Sequence, residues 1–206
     1  MINPSYQTIY TKYKNKTLYW LPNDTEERYH EHLKTNYDTL NNLGWIDNHF
    51  TYSFNSHGFR CKEFTSSPSI LFLGCSHTVG IGLPLKNIWP ELVAESLGLH
   101  CVNLGIGGAS VDTSFRMLHG YVDKIKPKIV VLLKPPRMRL EFFNQNDFKQ
   151  NVPENFGPWV DTELDTNRIY LDWYRNENND FFQQEKNLLA ISQICEKRNI
   201  KYVKAD

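Results

Sequence analysis

Apolar and polar positions follow two different periods in the second half of this chain, and the switches between them mark its elements. "SILFLG" (69–74) is a short apolar run ended by glycine, the pattern of a strand buried on both faces. "LKNIWPELVAESLG" (85–98) changes to helical spacing through Ile88, Leu92 and Leu97, with Pro90 in its first turn and Gly98 as its stop. "HCVNLG" (100–105) predicts a second strand and "SVDTSFRMLHGYVDKI" (110–125) a second helix. "KIVVLL" (128–133) predicts a third, β-branched strand. "DFFQQEKNLLAISQICEKRN" (180–199) returns to helical spacing, and "IKYVKA" (200–205) closes the series as a fourth strand. Strands alternating with helices predict an α/β fold, a parallel sheet with helices on both faces.

The first half lacks this rhythm. Residues 1–68 are aromatic and polar, with too few aliphatics for a core of their own, so they are expected to form an arm packed on a main domain of residues 69–206. Within the arm, "WLPNDTEERYHEHLKTNYDTLNNLGW" (20–45) predicts one helix, with Asp24 or Thr25 as N-cap and Gly44 as stop. "FTYSFNSHGFRCKEF" (50–64) reads as extended or turn-rich. "KPPRMRLEFFNQNDFKQNVPENFGPW" (134–159), with its several prolines, reads as an irregular insertion.

Composition narrows the class. The 206 residues are 40% apolar and 14% aromatic, enough for a substantial core, and 23 basic residues balance 23 acidic ones. Zero net charge argues against capture of nucleic acid or an anionic membrane surface. No apolar run approaches the roughly 18 residues that span a bilayer, and the N-terminus lacks a signal-like apolar centre. Cys61, Cys75, Cys101 and Cys195 show neither close pairing nor metal spacing, which favours four reduced thiols in a cytoplasmic chain without a metal.

In an open parallel sheet, ligands bind beyond the carboxyl ends of the strands. Two small-residue loops occupy those ends here, "GCSHTVGIG" after the first strand and "NLGIGGAS" after the second. Gly74 permits a tight turn that presents the hydroxyl and N–H of Ser76 at the rim. Gly107 and Gly108 let another backbone N–H approach the same point. A nucleophile with two backbone donors is the core of an acyl-transfer site.

These residues resemble a known family. "LFLGCSHTVGIG" is similar to the first block of the SGNH hydrolases (the GDSL esterase/lipase superfamily), and "VNLGIGGAS" to their second, an Asn followed five positions later by Gly: Asn103 and Gly108. "FNSHGFR" resembles the Asn-x-x-Gly-Phe-Arg segment that precedes the first block in one bacterial and phage branch. The resemblance implies a flavodoxin-like three-layer α/β/α fold and hydrolysis of acyl or acetyl esters, on carbohydrate or lipid, without metal or cofactor. It assigns Ser76 as nucleophile, with the N–H groups of Ser76 and Gly108 as oxyanion donors, and places Asn103 among the substrate or oxyanion contacts.

Three departures accompany it. Cys75 stands where the family has Asp, and a thiol there is a second, less suited nucleophile. "LLKPPRMR" replaces the Gly-x-Asn-Asp of the third block, leaving Lys134, Arg137 or Arg139 to bring positive charge, while Pro135 and Pro136 have no N–H. The Asp-x-x-His that supplies base and orienting carboxylate would follow the last strand, where this sequence reads "KYVKAD". The expectation is a fragment whose base lies beyond residue 206. His77 is too close in sequence to meet Ser76, His57 reads as structural, and Asp112 reads as a first-turn helix acid. Two other readings remain open: a non-catalytic relative serving as a binding or structural module of a phage or cell-surface assembly, and a flavodoxin-like phosphate cradle for flavin built from Ser76 and Thr78.

Overall fold

Four parallel strands form the centre of the computed structural model, which describes residues 13–19, 26–46, 50–143, 153–157 and 175–206. In chain order these strands are β3 (Ser69–Leu73), β4 (His100–Asn103), β5 (Ile129–Leu133) and β8 (Lys201–Ala205), lying side by side as β4-β3-β5-β8. The register sets Ile70 beside both Cys101 and Ile129, so β3 is hydrogen-bonded on both edges and all five of its residues are buried. That is why "SILFL" is continuously apolar rather than alternating.

The crossovers place the helices. From β3 the chain moves one way through α4 (Trp89–Ser96) to β4, then back past β3 through α5 (Val111–Ile125) to β5. Parallel crossovers are right-handed, so reversing direction puts α4 and α5 on opposite faces. The last connection continues in the second direction, which sets α6 (Glu177–Glu196) beside α5. Ile70 and Phe72 therefore pack against Ala94 and Trp89 of α4, while Leu71, Leu73, Val130 and Leu132 meet Met117, Leu118, Leu188 and Ile191 of α5 and α6. The result is a three-layer α/β/α fold with flavodoxin-like strand order.

Local signals explain the helix ends. Ser110 caps α5 in a reciprocal capping box with Thr113, and Lys126 ends it in the left-handed region. Pro90 sits in the first turn of α4, which a 3₁₀ turn at Leu85–Asn87 precedes. The helix expected over 20–45 is two, α1 (Glu26–Thr35) and α2 (Tyr37–Asn42), broken at Asn36; its expected caps Asp24 and Thr25 lie outside the described residues. Phe59 and Cys61 enter the main core from the region preceding β3.

The insertion after β5 is not wholly irregular. Leu140–Phe143 (β6) and Pro153–Phe156 (β7) pair antiparallel. Glu141 hides this strand from the apolar pattern: its carboxylate turns inward to meet Arg116 of α5. β1 (Thr17–Tyr19) and β2 (Thr51–Ser53) form a further small antiparallel pair. No helix among the described residues is long and apolar enough to cross a membrane.

Candidate active site

The chain switches direction across the sheet between β3 and β5, so the loops at their carboxyl ends border a crevice. Gly74 and Cys75 lead from β3 directly into a one-turn helix, α3 (Ser76–Val79). No side chain caps α3, so the N–H of Ser76 has no intrahelical acceptor. Ser76 is half-buried, and its hydroxyl makes no hydrogen bond among the described residues. Cys75 faces the other way; its side chain is buried in the core cluster and absent from the wall of the crevice, which removes it as a competing nucleophile.

The loop after β4 closes on α3. A Cβ on Gly105 would lie 2.8 Å from Cβ of Thr78, so only glycine permits this approach. Asn103 locks the contact from beneath: its Nδ2 donates to Thr78 O at 2.6 Å and its Oδ1 accepts from Gly105 N–H at 2.9 Å. Ile106 N–H reaches Gly74 O at 3.0 Å, and Gly108 turns the chain at φ +74° before the Ser110 cap. Asn103 is 1% exposed, so its amide serves the scaffold rather than the crevice.

A third clamp comes from "NSHGFR". Asn55 Oδ1 accepts the N–H groups of His57 and Phe59, each at 3.0 Å, forming a tight turn that drives Phe59 into the core. Arg60 then reaches under α3. Its Nη1 donates to Val79 O at 3.0 Å and Gly80 O at 2.6 Å, and its Nη2 to Leu83 O at 2.5 Å. Tyr52 lies 4.0 Å from the guanidinium carbon, ring face on.

These loops enclose a cavity of about 730 Å³, within the span of small-molecule sites. Its lining includes Ser76 with Gly105, Ile106, Gly107 and Gly108, the aromatic residues Tyr13, Tyr19, Tyr52 and Phe54 with Leu18, and Arg28, Arg60 and Arg139. The structure thus brings Ser76 and Gly108 to one cavity. Of the three basic candidates after β5, Arg139 lines it. Lys134 instead pairs with Asp206 at 2.5 Å, and Arg137 lies 6.0 Å from the Phe181 ring on a separate surface.

None of the described histidines lines the cavity. His57 stacks on Phe64 at 4.6 Å, with Lys124 Nζ 3.1 Å from its Nε2; burial and that ammonium hold its pKa below the ordinary value. His77 is exposed and offers only its carbonyl, to Trp89 Nε1. Asp112 accepts from Ser110 Oγ and Asn187 Nδ2 in the first turn of α5, and burial pushes its carboxyl up. Among the described residues no His, Asp or Glu lines the Ser76 cavity, and no group of three or more His, Cys, Asp or Glu is placed to hold a metal. Sequence reasoning gave no role to Arg60, Arg28 or Tyr52. Arg60 had a signal, its place in "NSHGFR"; the other two had none.

The chain matches no protein-family model and no curated protein. Among solved structures it is similar to TesA, with 16% identity over 66% of this chain and 58% of that one, at a TM-score of 0.43. It is also similar to the psychrotrophic esterase EstA from Pseudoalteromonas sp., with 15% identity over 66% and 57% at a TM-score of 0.39. The SGNH-hydrolase family esterase AlinE4 gives 15% identity over 69% and 60% at a TM-score of 0.40. The chain spans less than two thirds of the length of each of these three.

Proposed function

We propose that this protein is a serine esterase-type hydrolase acting on acyl or acetyl esters, with Ser76 as nucleophile. One observation carries the reading: a serine hydroxyl with no hydrogen bond to the described residues stands at the carboxyl end of a central strand, sharing a cavity with a glycine loop. Attack of Ser76 Oγ on an ester carbonyl forms a tetrahedral oxyanion. The N–H groups of Ser76 and Gly108 are the donors that meet it; losing one such donor costs about 2.7–4 kcal/mol in known hydrolases.

The serine proton needs a base, since a hydroxyl is too weakly acidic to attack unaided at neutral pH. In the family that the two sequence blocks resemble, that base is an imidazole oriented by a carboxylate, and among the described residues the cavity wall carries neither. Asn103 and Arg60 act as positioning residues, holding α3 and the Gly105 loop in register.

A fluorophosphonate probe tests the assignment directly. Covalent labelling of the intact chain at Ser76, absent in Ser76→Ala, is the expected result, together with hydrolysis of para-nitrophenyl acetate lost in the same variant. An unlabelled Ser76 overturns the reading and leaves a ligand-binding module.

A further inference from the structure

The small β1–β2 ribbon presents two unlike faces. Leu18 pairs with Tyr52, and Phe54 follows two residues on, its N–H donating to Lys16 O at 2.9 Å. Side chains alternate across a strand, so Leu18, Tyr52 and Phe54 share one face. Thr17 and Ser53 pair on the other, both exposed, with their hydroxyl oxygens 3.4 Å apart. Leu18, Tyr52 and Phe54 all line the cavity that holds Ser76. Tyr13 lines it too, stacked on Phe54 at 4.9 Å.

Two hydrogen bonds tie that face to the serine turn. Gly82 N–H donates to Tyr52 Oη at 2.9 Å. Its neighbour Ile81 donates its N–H to Ser76 O at 3.3 Å and lines the same cavity. Apolar side chains thus reach the serine from two elements distant in sequence, and they are not sealed: Leu18 is 38% exposed and Ile81 39%. The arginines of the lining are already engaged, Arg60 with three carbonyl oxygens, Arg28 and Arg139 with partners of their own. Open apolar surface beside a reacting group gains free energy when an apolar ligand covers it, and such patches mark ligand grooves. A lone methyl covers little of it; a chain of several carbons covers more.

Resting on the serine reading above, we propose that the ribbon and Ile81 form the specificity wall of this site, which takes an ester carrying an apolar chain of several carbons along Leu18 and Ile81. These two side chains set the preference for chain length. Tyr52 is a positioning residue that holds the ribbon against the serine turn.

The test uses the whole chain carrying Ser76→Ala, so that binding is read without turnover. Titration calorimetry compares methyl acetate with methyl hexanoate and pentyl acetate, two isomers that place the chain on the acyl and the alcohol side. At least one isomer is expected to bind about tenfold or more tightly than methyl acetate, and the tighter one says which side the wall reads. That preference is expected to fall about threefold or more in Leu18→Ser and in Ile81→Ser. Leu189→Ser, an exposed position on α6 that does not line the cavity, is expected to keep it. Leu18 and Ile81 lie on separate elements, so one variant carries the test if the other fails to fold. Isomers binding no better than methyl acetate, or a preference indifferent to both substitutions, overturns the proposal. Turnover of the same esters by the wild-type chain is followed alongside by proton release. Turnover without a chain-length preference removes this inference alone; a binding preference without turnover removes the serine chemistry and leaves the apolar wall standing.

Discussion

Two structures built at the same end of the sheet are held by different chemistry. The loops after β3 and β4 are tied by neutral or cationic side chains hydrogen-bonded to backbone: Asn103 to Thr78 and Gly105, Arg60 to Val79, Gly80 and Leu83. The hairpin after β5 is tied to α5 by side chain against side chain. Arg116 and Glu141 form a two-point ion pair at 2.5 and 2.6 Å, and Thr113 Oγ1 donates to Asn155 Oδ1 at 2.9 Å. The first arrangement fixes backbone and so fixes where Ser76 and the glycine N–H groups point. The second only anchors an insertion, and neither partner of its ion pair touches the cavity.

Breaking the hairpin anchor carries the largest expected effect on stability. Arg116→Met leaves Glu141 buried with no counter-charge, a loss of about 3–5 kcal/mol in unfolding free energy by urea denaturation. Replacing both, as Arg116→Met with Glu141→Leu, is expected to recover most of it. Ser76 in the double variant should still label with the fluorophosphonate. Loss of labelling there would show that the two regions are not independent.

Breaking the rim clamp costs less stability but more function. Asn103→Ala leaves the Thr78 carbonyl and the Gly105 N–H without their side-chain partner, about 1–3 kcal/mol by the same denaturation. Labelling of Ser76 should slow in this variant, because the loops it joins are no longer held in register. Equal labelling rates would remove Asn103 from the positioning role.

An exposed pair sharpens the contrast. Arg198 grips Asp123 with two hydrogen bonds, at 2.8 and 3.0 Å, and this holds the Asp123 carboxyl below its usual range. A carboxylate depressed in the folded state contributes stability above its unfolded pKa, near 3.9, and loses it as pH falls through the lower folded value. Asp123→Asn is therefore expected to cost about 0.2–1 kcal/mol at pH 7, with the difference from wild type vanishing toward pH 2. A loss at pH 7 as large as that of Arg116→Met would contradict burial as the source of the hairpin anchor's strength.

Legibility in the sequence followed this same divide. β3 and β5 were readable because both are unbroken apolar runs, and α5 because Val111, Met117, Leu118, Tyr121, Val122 and Ile125 recur at helical spacing. The glycine loop beside Ser76 was readable because its geometry depends on residues adjacent in the chain. The β6–β7 hairpin was not, since Glu141 breaks the apolar pattern and its partner lies 25 positions away. Nor could the sequence rank Lys134, Arg137 and Arg139, three basic residues within one short loop.

By itself the sequence determined the order of the four parallel strands with the helices α4, α5 and α6 between them, and the presence of a serine turn and a glycine turn at the strand ends. Both follow from burial period and backbone freedom, which are local. Tertiary structure alone decided that Arg139 rather than Lys134 or Arg137 lines the cavity beside Ser76, that Asn103 serves the scaffold, and that Arg28 and Arg60 share that cavity. Those outcomes depend on side chains brought together from distant positions, and charge acts through space rather than along the chain.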